Sequence, residues 1–450
     1  MSILSRSITL GLGLSAAALG FSQSAWAVPS FARQTGLACA ACHTTYPELT
    51  AFGRLFKLNG YTLTGLQQVQ SSGGQGLPEL KINEIPPFSA MFQTSVTHMK
   101  EEMPPGSPYY NSQNNNVEFP QQMSFFFAGE MSPHMGSFIQ FTYDHQQDHF
   151  SIDNTDIRYA NQAMGGNLIY GLDMNNNPSV EDPWQSTPAW GYPFASSDLT
   201  PGPVASLVDG TFAQQVAGLG AYAMWNNLVY GDFHLYRSEQ QGVSQPYPLG
   251  PTANSTISGV APYWRLALQH NFGENYIEVG TYGMAADMTP PSGALPYSGR
   301  DKYLDTALDA QYERNFGENS LVVRTTYIHE KQSLDASQAG GLATNSSNTL
   351  NTFRINGTYH IGDKSGLSAG YFNTTGSSDA KLYSQANGFA GNPDTTGYIL
   401  QATYLPWQNI QFGVQYTGFT KFNGASSNYD GAGRSASDNN TLYVYGWFMW

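Results

Sequence analysis

From Ile85 onward, apolar and polar side chains alternate with a period of two. Phe88, Ala90, Phe92 and Val96 are interleaved with Ser89, Gln93, Ser95 and Thr97, the pattern of a strand with one apolar and one polar face. The alternation recurs to the C-terminus in segments of roughly ten residues, the length of a tilted strand that crosses a bilayer. The connections alternate in length. Seven short turns are expected at 132–136, 164–167, 226–227, 272–275, 316–319, 361–366 and 405–409. Eight long polar stretches fall between them, at 100–120, 146–155, 177–213, 240–262, 289–300, 331–349, 376–395 and 423–439. The motif Asn-Phe-Gly-Glu-Asn occurs twice, at Asn271 to Asn275 and Asn315 to Asn319, so two hairpins share one turn design. Short turns on one side and long loops on the other predict an all-β transmembrane barrel of about sixteen antiparallel strands. The last segment, Thr441 to Trp450, is an apolar strand ending on an aromatic, as in barrel proteins of bacterial outer membranes. A soluble β-sandwich, the other all-β choice, needs neither eight long loops on one side nor that ending.

Before residue 85 the period differs. Residues 1–27 read as a signal peptide: Arg6 gives the positive start, Ile8 to Leu19 the apolar stretch and Ala25-Trp26-Ala27 the cleavage site. Residues 28–65 form a small helical segment. Thr45-Tyr46-Pro47-Glu48 reads as a capping box, Leu49, Phe52, Leu55 and Phe56 recur at helical spacing, and Gly60 is placed to end the helix. Arg54 and Lys57 fall on the opposite face. Residues 66–84, rich in Gly, Gln and Ser, read as a linker, and residues 85–450 as the barrel.

Composition sharpens this picture. Charged residues are only 12% and aromatics 14% of the 450, with 47 Gly and 28 Tyr. Few charges, many aromatics and no apolar run long enough for a spanning helix after the N-terminus fit a barrel whose partners are outer-membrane lipids. Acidic residues outnumber basic ones 33 to 19, a balance that excludes nucleic acid and favours cations. Removing residues 1–27 takes Arg6 with it and makes the formal net charge −15 instead of −14.

The chemistry sits at Cys39-Ala40-Ala41-Cys42-His43, which holds the only two cysteines in the chain. A Cys-x-x-Cys-His pentad is the attachment sequence of a c-type haem, with both thiols bonded to the porphyrin and the imidazole as an axial iron ligand. A disulfide or thioredoxin-like redox pair would leave His43 unused and lacks the βαβ context. Segment 28–65 is too small to build its own core, so its apolar stripe is expected to pack on the porphyrin. Phe31, Arg33, Phe52, Arg54, Phe56 and Lys57 are the expected haem contacts, with Arg33, Arg54 and Lys57 as possible partners of the propionates. No second His and no Met lies between His43 and Glu84. A sixth ligand therefore comes from the barrel, with Met91 and His234 as candidates, or from Lys57 or Lys81, or the position is open.

Alternation also assigns lumen-facing charges: Asp144, Arg158, Asp232, His234, Arg265, Glu278, Asp305, Asp309, Arg324 and Arg354. For each, a paired lumen network without chemistry is the plain expectation. His98, Met99, Met103, His145 and His149, with Asp144 and Asp148, fall near loop ends and offer ligand types suited to an external Fe(II) ion; solvated loops are the simpler expectation.

Pro29 to Tyr61 read Pro-Ser-Phe-Ala-Arg-Gln-Thr-Gly, then the pentad, then Pro47-x-Leu49, Phe52-Gly53-Arg54-x-Phe56-Lys57 and Gly60-Tyr61. This resembles the fused cytochrome–porins of the outer membrane, whose best-known members are iron oxidases. Over the barrel the resemblance is architectural only. It implies one covalent haem c plugging or underlying the pore, electrons entering from an extracellular donor such as Fe(II), and electrons leaving to a periplasmic carrier, a soluble cytochrome. With Fe(II) as the donor, the resemblance implies an Fe(II)-oxidising cytochrome acting by electron transfer. Two other functions use the same parts: a solute porin whose haem is structural or a redox sensor, and outward electron transfer to an external acceptor.

Overall fold

The structure, a computed structural model, describes residues 29–63, 68–71, 80–102, 114–144, 148–238, 255–290, 299–383 and 391–450. The expected signal peptide at 1–27 lies outside the described residues.

The alternating segments hydrogen-bond into one antiparallel sheet of 17 strands. One of these, Thr256–Ile257, is a two-residue extension paired only with the end of Asn275–Thr289. The other sixteen form a closed cylinder. Closure comes from the first and last strands: Phe88–Met99 pairs with Thr441–Met449 from Met91↔Met449 to Thr441↔Met99. The remaining seam joins Val229–Ser238 to Ala261–Phe272. Every ladder therefore has a neighbour on both sides, as a lipid environment demands.

The side chains sort as the period of two requires. On Val229–Ser238, Phe233 and Leu235 are exposed to lipid while Asp232 and His234 are buried in the lumen. On Asp301–Phe316, Leu308 is 63% exposed and its neighbours Ala307 and Asp309 are buried. Arg158, Arg265, Glu278, Asp305 and Arg324 are also buried inside, and Arg354 reaches in to a loop carboxylate. The Asp144 side chain lies outside the described residues. An apolar belt around a closed cylinder of this size is a bacterial outer-membrane barrel, and that is where the protein resides.

All seven short turns occur where the alternation puts them. The long connections depart from expectation in two ways. Strands extend into them: His149–Ala163 begins inside the stretch expected as loop 146–155, and Asn319–Ser333 and Ser347–Ile361 run past the edges of 331–349. The ends at 331–333 and 347–349 are polar on both faces, so periodicity does not separate them from loop, whereas Phe150 and Ile152 keep the strand alternation in the first. More important, the stretch 177–213, expected outside, is folded into the lumen. Leu207 N–H donates to Glu330 (2.8 Å) and Val208 N–H to Asp305 (2.8 Å). Arg354 forks onto Asp209 (2.5 and 2.6 Å), Arg324 Nε donates to the Trp184 carbonyl (2.9 Å), and Gln415 donates to the Ala195 carbonyl (2.9 Å). Wall charges on many strands thus hold one loop across the interior. Within the expected linker, Gln68–Ser71 and Leu80–Asn83 pair as a small antiparallel ribbon.

The N-terminal segment enters the same lumen from the short-turn end. It touches the wall at Phe88, Ala128, Ala160, Glu313 and Gln408, all beside chain ends or short turns. Short turns are periplasmic in such barrels, so this is the periplasmic mouth.

A charge on the lipid face tests the spanning register. Leu308→Arg is expected to destabilise the barrel by about 2–4 kcal/mol, measured by reversible denaturant unfolding in liposomes. An unchanged midpoint would place Leu308 outside the hydrocarbon.

Candidate functional site

The residues 29–63 make three short helices: Pro29–Thr35, the single turn Cys39–Cys42, and Ala51–Leu58. The Cys-x-x-Cys spacing closes that turn, with His43 N–H donating to the Cys39 carbonyl at 2.9 Å. The chain then becomes extended, and His43 bridges to Leu49. Thr50, not Thr45, caps the last helix: its hydroxyl accepts from Gly53 N–H at 3.1 Å. The capping box expected at Thr45 to Glu48 does not form because the Glu48 carboxylate is taken by the wall. It meets Arg324 and His360, the latter at 2.7 Å, and accepts from the Thr44 hydroxyl at 2.5 Å. Gly60 does end the helix, in the left-handed conformation at φ 69.

Cys39, Cys42 and His43 open onto one cavity of about 330 Å³ inside the periplasmic mouth. Its walls are largely apolar and include Phe31, Phe52, Phe56, Phe126, Phe138 and Trp447. Phe52 (38%) and Leu55 (42%) on the last helix are only partly covered, whereas Phe56 is buried.

The donor set fits a c-type haem. Burial pushes the Cys39 thiol up to about 12 and the Cys42 thiol to about 11, so both stay as thiols. Burial lowers His43 to about 4 despite the opposing bond to Pro47, keeping the ring neutral as a metal ligand must be. Its Nδ1 lies 3.2 Å from the Pro47 carbonyl. A carbonyl only accepts, so Nδ1 carries the proton and the Nε2 lone pair is available, the usual outer-shell arrangement of an axial histidine.

The structure sorts the other expected contacts. Phe31, Phe52, Phe56 and Lys57 line the cavity. The Lys57 ammonium, however, is bonded to the Val180 and Asp182 carbonyls at 2.5 and 2.9 Å. Arg54 is buried against Glu313 and the Leu49 carbonyl, and Arg33 donates to the Phe88 carbonyl. Arg54 and Lys57, expected as possible partners of the propionates, are instead the buried face of the helix, because the lumen supplies acceptors that water would otherwise provide. Met91 lines the cavity together with its ladder partner Met449. His234 does not: its Nε2 is bonded to Asp173 in another buried cluster, so it is withdrawn as a sixth ligand. The Lys81 side chain lies outside the described residues.

Among the described residues, the loop ligand set does not assemble. His98 Nδ1 is 2.7 Å from Asn115 Oδ1, Met99 is buried, and Asp148 accepts from the Tyr143 hydroxyl at 2.6 Å. Met103 and His145 lie outside the described residues. Sequence reasoning missed Glu48 as the anchor of the segment and Met449 and Trp447 as cavity walls; the inward parity of the last strand was a usable signal for the latter two.

No protein-family model matches the chain, and no curated protein sequence does. Solved structures do resemble it. OmpT, an outer membrane protein of Vibrio cholerae, is 11% identical, with 81% of this chain and 96% of that one covered and a TM-score of 0.44. Salmonella typhi OmpF in complex with daunomycin is 10% identical over 81% and 97%, at 0.47. The outer membrane channel DcaP of Acinetobacter baumannii is 10% identical over 81% and 96%, at 0.44. What is alike is the arrangement of strands, and it carries no information on the chemistry of the mouth.

Burial alone would raise the Glu48 carboxyl, but Arg324 and His360 outweigh it and hold the group well below the usual carboxylate range. Glu48→Gln leaves Arg324 buried without its counter-charge and is expected to cost about 3 kcal/mol. A depressed folded value means the contribution is complete above the unfolded carboxylate range, about pH 4.3, and is lost as pH falls further. Protease accessibility of residues 29–63 in the wild type should therefore rise on acidification below that range; equal accessibility in wild type and variant at neutral pH would remove Glu48 from the anchor.

Proposed function

We propose that this barrel carries one covalent c-type haem in its periplasmic mouth and passes single electrons across the outer membrane, from an extracellular donor, Fe(II) first among the candidates, to a periplasmic carrier. The observation that supports this reading is the convergence of the Cys39–Cys42 turn, the His43 ring and the half-exposed Phe52 on one largely apolar cavity inside a closed cylinder.

Bound there, a c-type haem supplies one-electron chemistry. The chain's own residues do the rest. Cys39 and Cys42 would tether the group so that it stays in the mouth, and His43 would hold it through Nε2. Met91 and Met449, which line the cavity, would be the thioether donors within it. The aromatic walls exclude water, and the loop at 176–215 narrows the lumen beyond. The excess of acidic residues, 33 against 19, attracts cations such as Fe(II) and stabilises an oxidised, more positive centre. Oxidation outside the cell also leaves insoluble Fe(III) products outside.

A solute channel is the second reading, with the haem structural or redox-sensing. Sixteen strands enclose a lumen wide enough for water, and one resembling structure is named as an outer membrane channel. The same parts would also serve outward transfer to an external acceptor.

Three measurements separate these readings. Haem-stained outer-membrane fractions should show a band for the wild type and none, or a much weaker one, for Cys39→Ala; equal staining removes the attachment site. Fe(II) added to the oxidised haem-loaded protein should shift its absorbance to the reduced form, and no reduction across a range of pH excludes iron as donor. Planar-bilayer conductance of the loaded barrel should be small; free passage of small solutes favours the channel.

A further inference from the structure

His234 lies in a second buried cluster, none of whose candidate ligands lines the pentad cavity. Glu181 stands on the loop inside the lumen, and its backbone is clamped: Arg158 donates to the Glu181 carbonyl at 2.9 Å, and Lys57 holds the carbonyls on either side. The carboxylate so positioned is fully buried, and neither oxygen has a hydrogen-bond partner. Asp232 on the wall strand is buried in the same way, and both of its oxygens lack a hydrogen bond. Two residues on, with the same inward parity, is His234. Its Nε2 meets Asp173, whereas Nδ1 has no hydrogen bond and stands 3.6 Å from Asp232 Oδ1. One ligand atom from each of Glu181, Asp232 and His234 lies within 4.8 Å of the other two. Gly220, the ladder partner of His234, makes room for the ring: a Cβ there would overlap it.

Buried carboxylates without hydrogen bonds are costly unless a cation meets them. Arg158, which holds the Glu181 carbonyl, is already bonded to Asp156 at 2.8 Å and lies 3.8 Å from Asp173, and Arg265, the ladder partner of Asp232, is engaged by Asp309 at 2.7 Å and Glu278 at 3.1 Å. We propose that Glu181, Asp232 and His234 Nδ1 form a binding site for one divalent first-row transition-metal ion inside the lumen. The donor set selects the class. Two carboxylates with one imidazole suit Mn(II), Fe(II) or Zn(II); an all-oxygen set would suit Ca(II) or Mg(II), and thiolates Cu(I). Asp173 completes the site from behind by accepting Nε2–H, which fixes the tautomer that leaves Nδ1 free to ligate. The site draws on no residue of the cavity at the pentad, so it stands or falls apart from the haem reading.

The test uses the full mature protein as isolated from outer membranes, stripped with chelator and then given Mn(II) alone, with binding followed by electron paramagnetic resonance and equilibrium dialysis; Zn(II) is scored by displacement. One Mn(II) per chain is expected in the wild type, with affinity lowered at least tenfold in Glu181→Gln and in Asp232→Asn. Asp173→Asn should keep the stoichiometry and lose about 10–100-fold in affinity. Because Glu181→Gln removes a buried carboxylate that has no partner, it should fold at least as well as the wild type without metal, and Mn(II) should raise the thermal midpoint of the wild type only. Wild-type protein that retains neither Mn(II) nor Zn(II), or Glu181→Gln that binds as the wild type does, overturns the site and leaves these groups as protonated lumen residues.

Discussion

A bilayer has no water to satisfy a backbone, and that single constraint organises this molecule. Sixteen strands escape it by closing on themselves, Phe88–Met99 onto Thr441–Met449. Closure creates an interior that must itself be filled or wet. Alternation then forces every second residue inward, polar ones included, and the interior is met by two guests from the same chain: the segment 29–63 at the periplasmic mouth and the loop 176–215 above it.

The guests fit because the wall charges are their counterparts. Arg324 serves both, holding Glu48 of the N-terminal segment and the Trp184 carbonyl of the loop. Arg158 likewise touches the Lys57 carbonyl at 3.5 Å and that of Glu181. Removing a single wall charge therefore loosens more than one element, since buried partners left behind cannot recover water. Where pairing is complete the lumen is a scaffold. Where it is incomplete, at the pentad cavity and at Glu181, Asp232 and His234, there is room for chemistry.

Much of this was readable in the chain. A period of two gave the strands and their faces, and the repeated Asn-Phe-Gly-Glu-Asn turns marked the hairpins, because both signals are local. The cysteine pair and His43 were readable for the same reason, being contiguous. The loop at 177–213 was misread because a polar segment has the same composition whether water or a polar lumen receives it. Glu48 was misread because a capping-box glutamate and a buried ion-pair partner look identical until Arg324, far along the chain, is brought beside it.

By itself, then, the sequence determined a closed barrel with inward polar faces, its strand number, its short-turn side and a pentad chemically suited to haem. Those follow from spacing, which is a one-dimensional property. Only the tertiary structure decided that the N-terminal segment and a long loop share the lumen, that Met91 faces the cavity and His234 does not, and that Glu181 meets Asp232. Those follow from which strands become neighbours around a cylinder, and closure is a property of the whole chain at once.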